Sequence, residues 1–202
     1  MTYLGTQPND VKKNTGLYTP SEILQLEKDG HWGGSLELIE EQTYSGAVAN
    51  IDFTSIQENK YDVHFMQIYL SEATNDVLIQ ISNNNGTSYH TTGYQFAVQY
   101  GSVGGTFAEE KSTNGGNLFG LGGSSTGIAK NTYMYFYNLG NNTKYSFSTQ
   151  HFFSAHPSLS YYFKFGGGVY PTAETNNAIR LFMSSGNMTG TVKLYGVKQW
   201  VT

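Results

Sequence analysis

Five histidines, His31, His64, His90, His151 and His156, are the metal-ligating candidates in a chain without cysteine. They form neither an H-x-H nor an H-E-x-x-H pattern, and the interval from His151 to His156 matches no zinc spacing, so packing or surface roles are expected of them. A glycoside hydrolase needs two carboxylates facing each other across a cleft. Here Glu40-Glu41 and Glu109-Glu110 are adjacent pairs, whose side chains point to opposite faces of an extended chain. Asp52 and Asp62 flank an expected hairpin and could meet in space, although turn and edge roles account for them equally well. The run Gly120-Leu121-Gly122-Gly123-Ser124 lacks the following Gly-Lys-Ser/Thr of a phosphate loop. Asn- and Asp-rich turns could offer oxygens to calcium, but no ligand set stands out. No catalytic residue, metal ligand or cofactor is assigned, and the expectation is a protein that is not an enzyme.

The tyrosines carry a sharper signal. In the stretch TYMYFYNL, Tyr133, Tyr135 and Tyr137 share one face of a strand while Met134 and Phe136 take the other. If Lys164 and Lys193 point outward, Tyr162 and Tyr195 go with them. Amphipathic rings beside Asn, Ser and Gly loops suit a sugar-like ligand or a wet interface, because a rigid ring supplies area at small entropic cost. Cross-strand packing or a subunit contact outweighs a ligand as the account of these five residues.

The elements that must position them are strands. VLIQI sets Val77, Ile79 and Ile81 on one face; YQFAVQY alternates Tyr94, Phe96, Val98 and Tyr100 with Gln95, Ala97 and Gln99. KYSFSTQHF alternates Tyr145, Phe147, His151 and Phe153 with Ser146, Ser148 and Gln150, and Ile179, Leu181 and Met183 alternate around Arg180; each is expected to have one wet face. Residues 63–70 place apolar groups on both faces, as a central strand does when a neighbouring subunit or the N-terminal arm covers its second side. Asn83-Asn84-Asn85-Gly86, Gly140-Asn141-Asn142 and Ser184-Ser185-Gly186-Asn187 read as hairpins. The Gly-, Ser- and Thr-rich stretch between Gly101 and Gly127 reads as a long excursion carrying one short strand near Leu118–Leu121. About ten strands between Leu36 and Lys198 predict an antiparallel β-sandwich of the jelly-roll kind.

Before the sandwich, residues 1–18 show no apolar period and read as an arm. Thr19-Pro20-Ser21-Glu22 then spells a capping box, with Thr19 at N-cap, proline at N1 and glutamate at N3. The helix it opens is expected to pass Ile23, Leu24 and Leu26 and to stop at Gly30. It is too short to persist alone and must dock. The predicted organisation is therefore an arm with a short helix over 1–34 and a sandwich over 35–202.

Composition agrees with many short strands: 24 glycines, 16 tyrosines and 12 phenylalanines stand beside only 13% charged residues. A net charge of −4 and a single arginine, Arg180, speak against nucleic acid, since phosphate contacts rest on clustered Lys and Arg. No stretch approaches the roughly 20 apolar residues of a membrane helix, and no signal-like run opens the chain, so neither membrane insertion nor a Sec-type route is expected. The N-x-Thr triplets at Asn85, Asn141 and Asn187 carry little weight without a secretion signal.

Read together, GTQPNDVKKNTGLYTPSEILQLEKDGHWGGSLELIEEQ, YDVHFMQIYL, GTSYHTTGYQ, FGGGVYPTAETNNAIRLF and GTVKLYGVKQ resemble small structural proteins of tailed bacteriophages, particularly marine and cyanobacterial phages. The resemblance covers nearly the whole chain and brings no catalytic residue. It implies a tail-fibre-like virion protein, assembled in the host cytoplasm, with a jelly-roll body. Leu17, Tyr18, Ile23, Leu24, Leu26 and Trp32 would anchor its N-terminal arm to another virion protein. It further implies a homo-oligomer, a trimer before other states, whose loops near 83–93, 101–128 and 138–143 face outward, with host-surface glycan as the ligand. A capsid decoration or connecting protein, and a cellular carbohydrate-binding module, are the alternatives.

Overall fold

The computed structural model describes residues 19–28, 35–73, 75–118, 120–121, 130–156 and 160–198. The chain divides into two units, Met1–Ser35 and Leu36–Thr202.

Among the described residues of the first unit, one helix, α1, runs over Pro20–Lys28. It starts where the capping box places it. The Thr19 backbone N–H donates to Glu22 Oε2 at 2.6 Å, and the Glu22 N–H donates to Thr19 Oγ1 at 3.3 Å, so two orphan donors of the first turn are satisfied reciprocally. These bonds hold the Glu22 carboxyl below its ordinary range. Leu24 is exposed. The other anchoring candidates, Leu17, Tyr18 and Trp32, and the side chains of Ile23 and Leu26, lie outside the described residues.

The second unit contains twelve described strands, against about ten expected: β1 (Leu36–Val48), β2 (Asn50–Phe53), β3 (Val63–Ala73), β4 (Val77–Ser82), β5 (Tyr94–Ser102), β6 (Phe107–Gly115), β7 (Gly120–Leu121), β8 (Lys130–Tyr137), β9 (Ser146–His156), β10 (Ser160–Tyr170), β11 (Ala178–Met183) and β12 (Met188–Val197). They form an eight-stranded sheet, ordered β1-β12-β3-β8-β9-β10-β5-β6, and a four-stranded sheet, ordered β2-β11-β4-β7. Remove β5–β6 and β9–β10, and eight strands remain that pair first with last, second with seventh, third with sixth and fourth with fifth: β1 with β12, β2 with β11, β3 with β8 and β4 with β7. That wrapping is a jelly roll. The two remaining hairpins are insertions, and both add to the β8 edge of the larger sheet.

Apolar alternation drives the packing between the sheets. Ile51, Phe53, Val77, Ile79, Ile81, Ile179 and Leu181 line the inner face of the small sheet, and Met66, Ile68, Met134, Phe136, Val192 and Leu194 the inner face of the large one, all fully buried. At about 25 cal/mol per Å² of apolar surface removed from water, such side chains are each worth about 1.5–3 kcal/mol.

Three expectations are corrected. β4 and β5 lie in different sheets, as do β11 and β12, so Asn83–Gly86 and Ser184–Asn187 are crossings between sheets rather than hairpins; only the 138–145 turn joins neighbours, β8 and β9. Asn85 and Gly86 nevertheless adopt the positive φ their types suggest, 56° and 79°. Asp52 and Asp62 do not flank a hairpin either, since β2 and β3 belong to different sheets. The excursion after β5 carries β6 as well as β7.

β9 has the single wet face expected of it, and the rings occupy it. Ser146, Ser148 and Gln150 are buried, 1%, 2% and 4% exposed, while Tyr145, Phe147 and Phe153 are exposed. The chain at 116–118 crosses the inner face of the inserted strands at close range. A Cβ on Gly168 would stand 2.6 Å from the Leu118 carbonyl oxygen. Only a small side chain fits beside such a crossing, and Ser148, opposite Gly168, takes that place, while farther along β9 the inner face holds Gln150 and Phe152.

Candidate binding face

The outer face of the eight-stranded sheet collects the rings. Strand register aligns its outward residues into rows running across the strands. One row is Lys193 (β12), Gln67 (β3), Tyr133 (β8), His151 (β9), Phe165 (β10) and Gln99 (β5), bounded by Glu41 on β1 and Glu109 on β6. On one side of it run Tyr195, Phe65 and Tyr135. On the other run Tyr69, Asn131, Phe153, Phe163 and Phe107, with Gly101 between the last two. At about 4.8 Å between strands the central row spans on the order of 30 Å.

Local alternation alone sets these orientations on β3 and β8, where the opposite positions, Met66, Ile68, Met134 and Phe136, are drawn into the core. On β10 the outward set is Tyr161, Phe163 and Phe165, and two of these, Tyr161 and Phe165, are exposed along with Tyr133, Tyr69 and Phe153. Several rings lie flat to one another. Phe163 and Phe165 have centroids 6.1 Å apart and planes 12° apart; Phe153 and Tyr161 are 6.3 Å and 4° apart. Phe65 packs among Tyr133, Tyr135 and Tyr195 at 5.0–6.1 Å. Such pairs contribute about 0.2–1 kcal/mol each to sheet stability.

The polar groups between the rings are partly engaged with one another. The Tyr133 hydroxyl lies 3.4 Å from His151 Nδ1, and the Tyr137 hydroxyl 3.2 Å from Thr149 Oγ1. The Gln67 amide donates to the Tyr69 hydroxyl. Charge is confined to the two ends of the central row. Lys193 meets Glu41 at 3.0 Å, a contact that raises the ammonium above its ordinary value, and Lys111 meets Glu109 at 2.5 Å, which lowers the carboxyl. Three shallow depressions open on this face. One of about 450 Å³ lies among Gln99, Phe107, Glu109, Phe163 and Phe165; one of about 500 Å³ among Gln95, Ala97, Lys111, Phe147 and Gly167; and one of about 300 Å³ among Phe65, Tyr69, Tyr133, His151 and Phe153.

Of the five tyrosines singled out in the sequence, Tyr133, Tyr135, Tyr137 and Tyr195 fall on this face. Tyr162 does not. It is 3% exposed and points inward with Lys164, whose ammonium meets Glu110 at 2.6 Å and lies 5.6 Å from the Tyr100 ring. The ion pair with an acid reaching in from the sheet edge makes a buried lysine tolerable, and the alternation then buries Tyr162, whose phenol is raised above its ordinary value by desolvation. The phenylalanines at 153, 163 and 165 were not singled out, although the same alternation that selected Tyr133 applies to them.

Most of the acids weighed for hydrolysis are engaged elsewhere, Glu40 with Gln42 and Glu41 with Lys193 among them. Asp52 pairs with Arg180, Glu109 with Lys111 and Glu110 with Lys164. His64 is fully buried on β3, its Nε2 donating to the Ile56 carbonyl at 2.8 Å, a packing role. His90 stacks on Tyr170 with centroids 4.3 Å apart and meets Glu174 at 2.8 Å, which ties the 83–93 loop to 171–177. Gly123-Ser124-Ser125-Thr126-Gly127 fits the G-x-S-x-G spelling of a serine nucleophile. It lies outside the described residues, and its neighbours are strands β7 and β8, whereas a nucleophile elbow leads from a strand into a helix.

No family model, curated protein or solved structure matches the chain. Function is therefore argued from this face and from the residues that build it.

Proposed function

We propose that the protein is a non-enzymatic structural component of a tailed-bacteriophage particle, held by its N-terminal segment 1–34 and attaching to the host surface through the outer face of its eight-stranded sheet. The observation that carries the attachment reading is the set of exposed and half-buried rings interleaved with amide, hydroxyl and imidazole groups across the outer face of the large sheet. Contiguous apolar patches of this kind on a sheet mark interaction surfaces rather than bare exterior. The fold is in keeping with the reading, since jelly rolls serve in viral capsids and lectin domains, though a fold alone decides no function. The virion part rests on the phage-like segments at both ends of the chain. In this reading the partners are a neighbouring virion protein at the arm, further copies of the chain in a trimer, and a host glycan at the sheet.

The test is localisation. A gold-binding tag placed after Thr202 and imaged on intact particles should label tail or fibres. Label over the head would replace attachment by capsid decoration, and unlabelled particles would remove the virion reading altogether.

A further inference from the structure

We infer that the ligand of the outer sheet face is an uncharged polysaccharide strand, lying across the β-strands along the row Gln67, Tyr133, His151, Phe165 and Gln99. The inference rests on the attachment reading above and names its ligand class.

Charge comes first. Between Lys193 and Glu109 the row carries no acid, lysine or arginine, and the charges at its two ends are satisfied by Glu41 and Lys111 within the protein. A polyanion finds no uncompensated cation along this track, and a basic peptide finds no uncompensated acid. A neutral chain loses nothing by lying there.

Shape comes second. Sugar rings in an extended chain present C–H faces alternating with hydroxyl edges. The row offers the complement: exposed aromatic rings at Tyr133 and Phe165, and hydrogen-bonding groups at Gln67, His151 and Gln99, one residue per strand. The spacing of about 4.8 Å between strands is comparable with the length of one pyranose unit in such a chain. Phe65 and Tyr135 on one side, and Phe153 and Phe163 on the other, wall the track with apolar surface. The depressions at Tyr133–His151 and at Phe163–Phe165 lie along it and would each receive about one sugar. Rigid rings with adaptable amides give such a surface specificity at low entropic cost.

The whole chain is run in native gels cast with dextran, mannan, laminarin or a neutral galactan, and with alginate as the polyanionic control. Retardation by at least one neutral polymer is expected, unchanged in about 0.5 M salt, where screening would erase a charge-driven contact. Phe165→Ala and Gln99→Ala should each weaken it about tenfold, while Phe182→Ala on the small sheet should leave it intact. No retardation by any neutral polymer overturns the inference, as does retardation by alginate alone, or retardation untouched by both row variants. So does conversion of an oligomer to monomers by Phe165→Glu, which would assign the face to a second copy of the chain.

Fluorescent protein applied to bacterial cells separates the two levels of the proposal. Cell binding that survives periodate oxidation of surface glycans keeps attachment and removes the polysaccharide ligand. Absence of binding to any host cell removes attachment itself.

Discussion

Arg180 on β11 and Asp52 on β2 form a two-pronged ion pair across adjacent strands. The guanidinium donates from Nε and from Nη2, each at 2.7 Å, to the two carboxylate oxygens. The same guanidinium lies 4.0 Å from the centre of the Tyr89 ring, so the only arginine in the chain clamps an edge strand and the loop after β4 at once. Lysine offers a point charge and cannot reproduce the fork or the stacking. Arg180→Lys and Asp52→Asn should each lower stability by about 1–2 kcal/mol, tempered by partial exposure of the pair. Urea unfolding should show a lower midpoint with an unchanged slope, and an unaltered midpoint would deny the clamp.

His64 predicts a weakness on the acid side. Burial pushes its imidazole below the ordinary value of 6.5, so the unfolded chain takes up the proton first as pH falls. Its contribution is present above pH 6.5 and is lost below it, at up to about 1.4 kcal/mol per pH unit. The melting temperature should fall from pH 6.5 downward, and His64→Gln should fall less steeply over the same range. Parallel curves for the two proteins would remove His64 as the cause.

Gln150 predicts a gain. Its amide is buried on the inner face of β9 with neither Nε2 nor Oε1 hydrogen-bonded. An unsatisfied buried polar group costs about 1–3 kcal/mol, and a leucine of similar volume abolishes that cost. Gln150→Leu should raise the denaturant midpoint. A loss of stability would show that the amide is needed where it stands.

Gly168 predicts a loss. With the Leu118 carbonyl 2.6 Å from where its Cβ would be, Gly168→Ala must push the crossing chain off the sheet. Overpacking of this kind costs about 1–3 kcal/mol. Gly46 has open space around it, and Gly46→Ala is the control expected to change little.

Much of this architecture was legible where a signal is local. The capping box at Thr19, the alternation in Val77, Ile79 and Ile81, and the outward tyrosines of β8 each follow from residues within one element. What failed depended on distant neighbours. Nothing near Asn83–Gly86 says that the next strand enters the opposite sheet, because positive φ makes a turn without choosing its destination. On β9 alternation gives two faces without saying which is buried, and Gly168 on β10 together with the carbonyl of residue 118 leaves room for Ser148 on the inner one. Tyr162 followed Lys164 inward because Glu110, 54 residues away in sequence, neutralises the lysine there.

Both inserted hairpins extend the large sheet beyond β8, although β5–β6 leaves the roll after β4 and rejoins it at β7, and β9–β10 leaves after β8 and rejoins at β11. Phe107, Phe153, Phe163 and Phe165 therefore belong to chain that the eight wrapped strands do not need for their own pairing. Substitution within these hairpins would alter the outer face while the pairings of the eight wrapped strands stay as they are. Such a division lets the side chains on the inserted half of the outer face change without touching the pairings that close the eight-stranded roll.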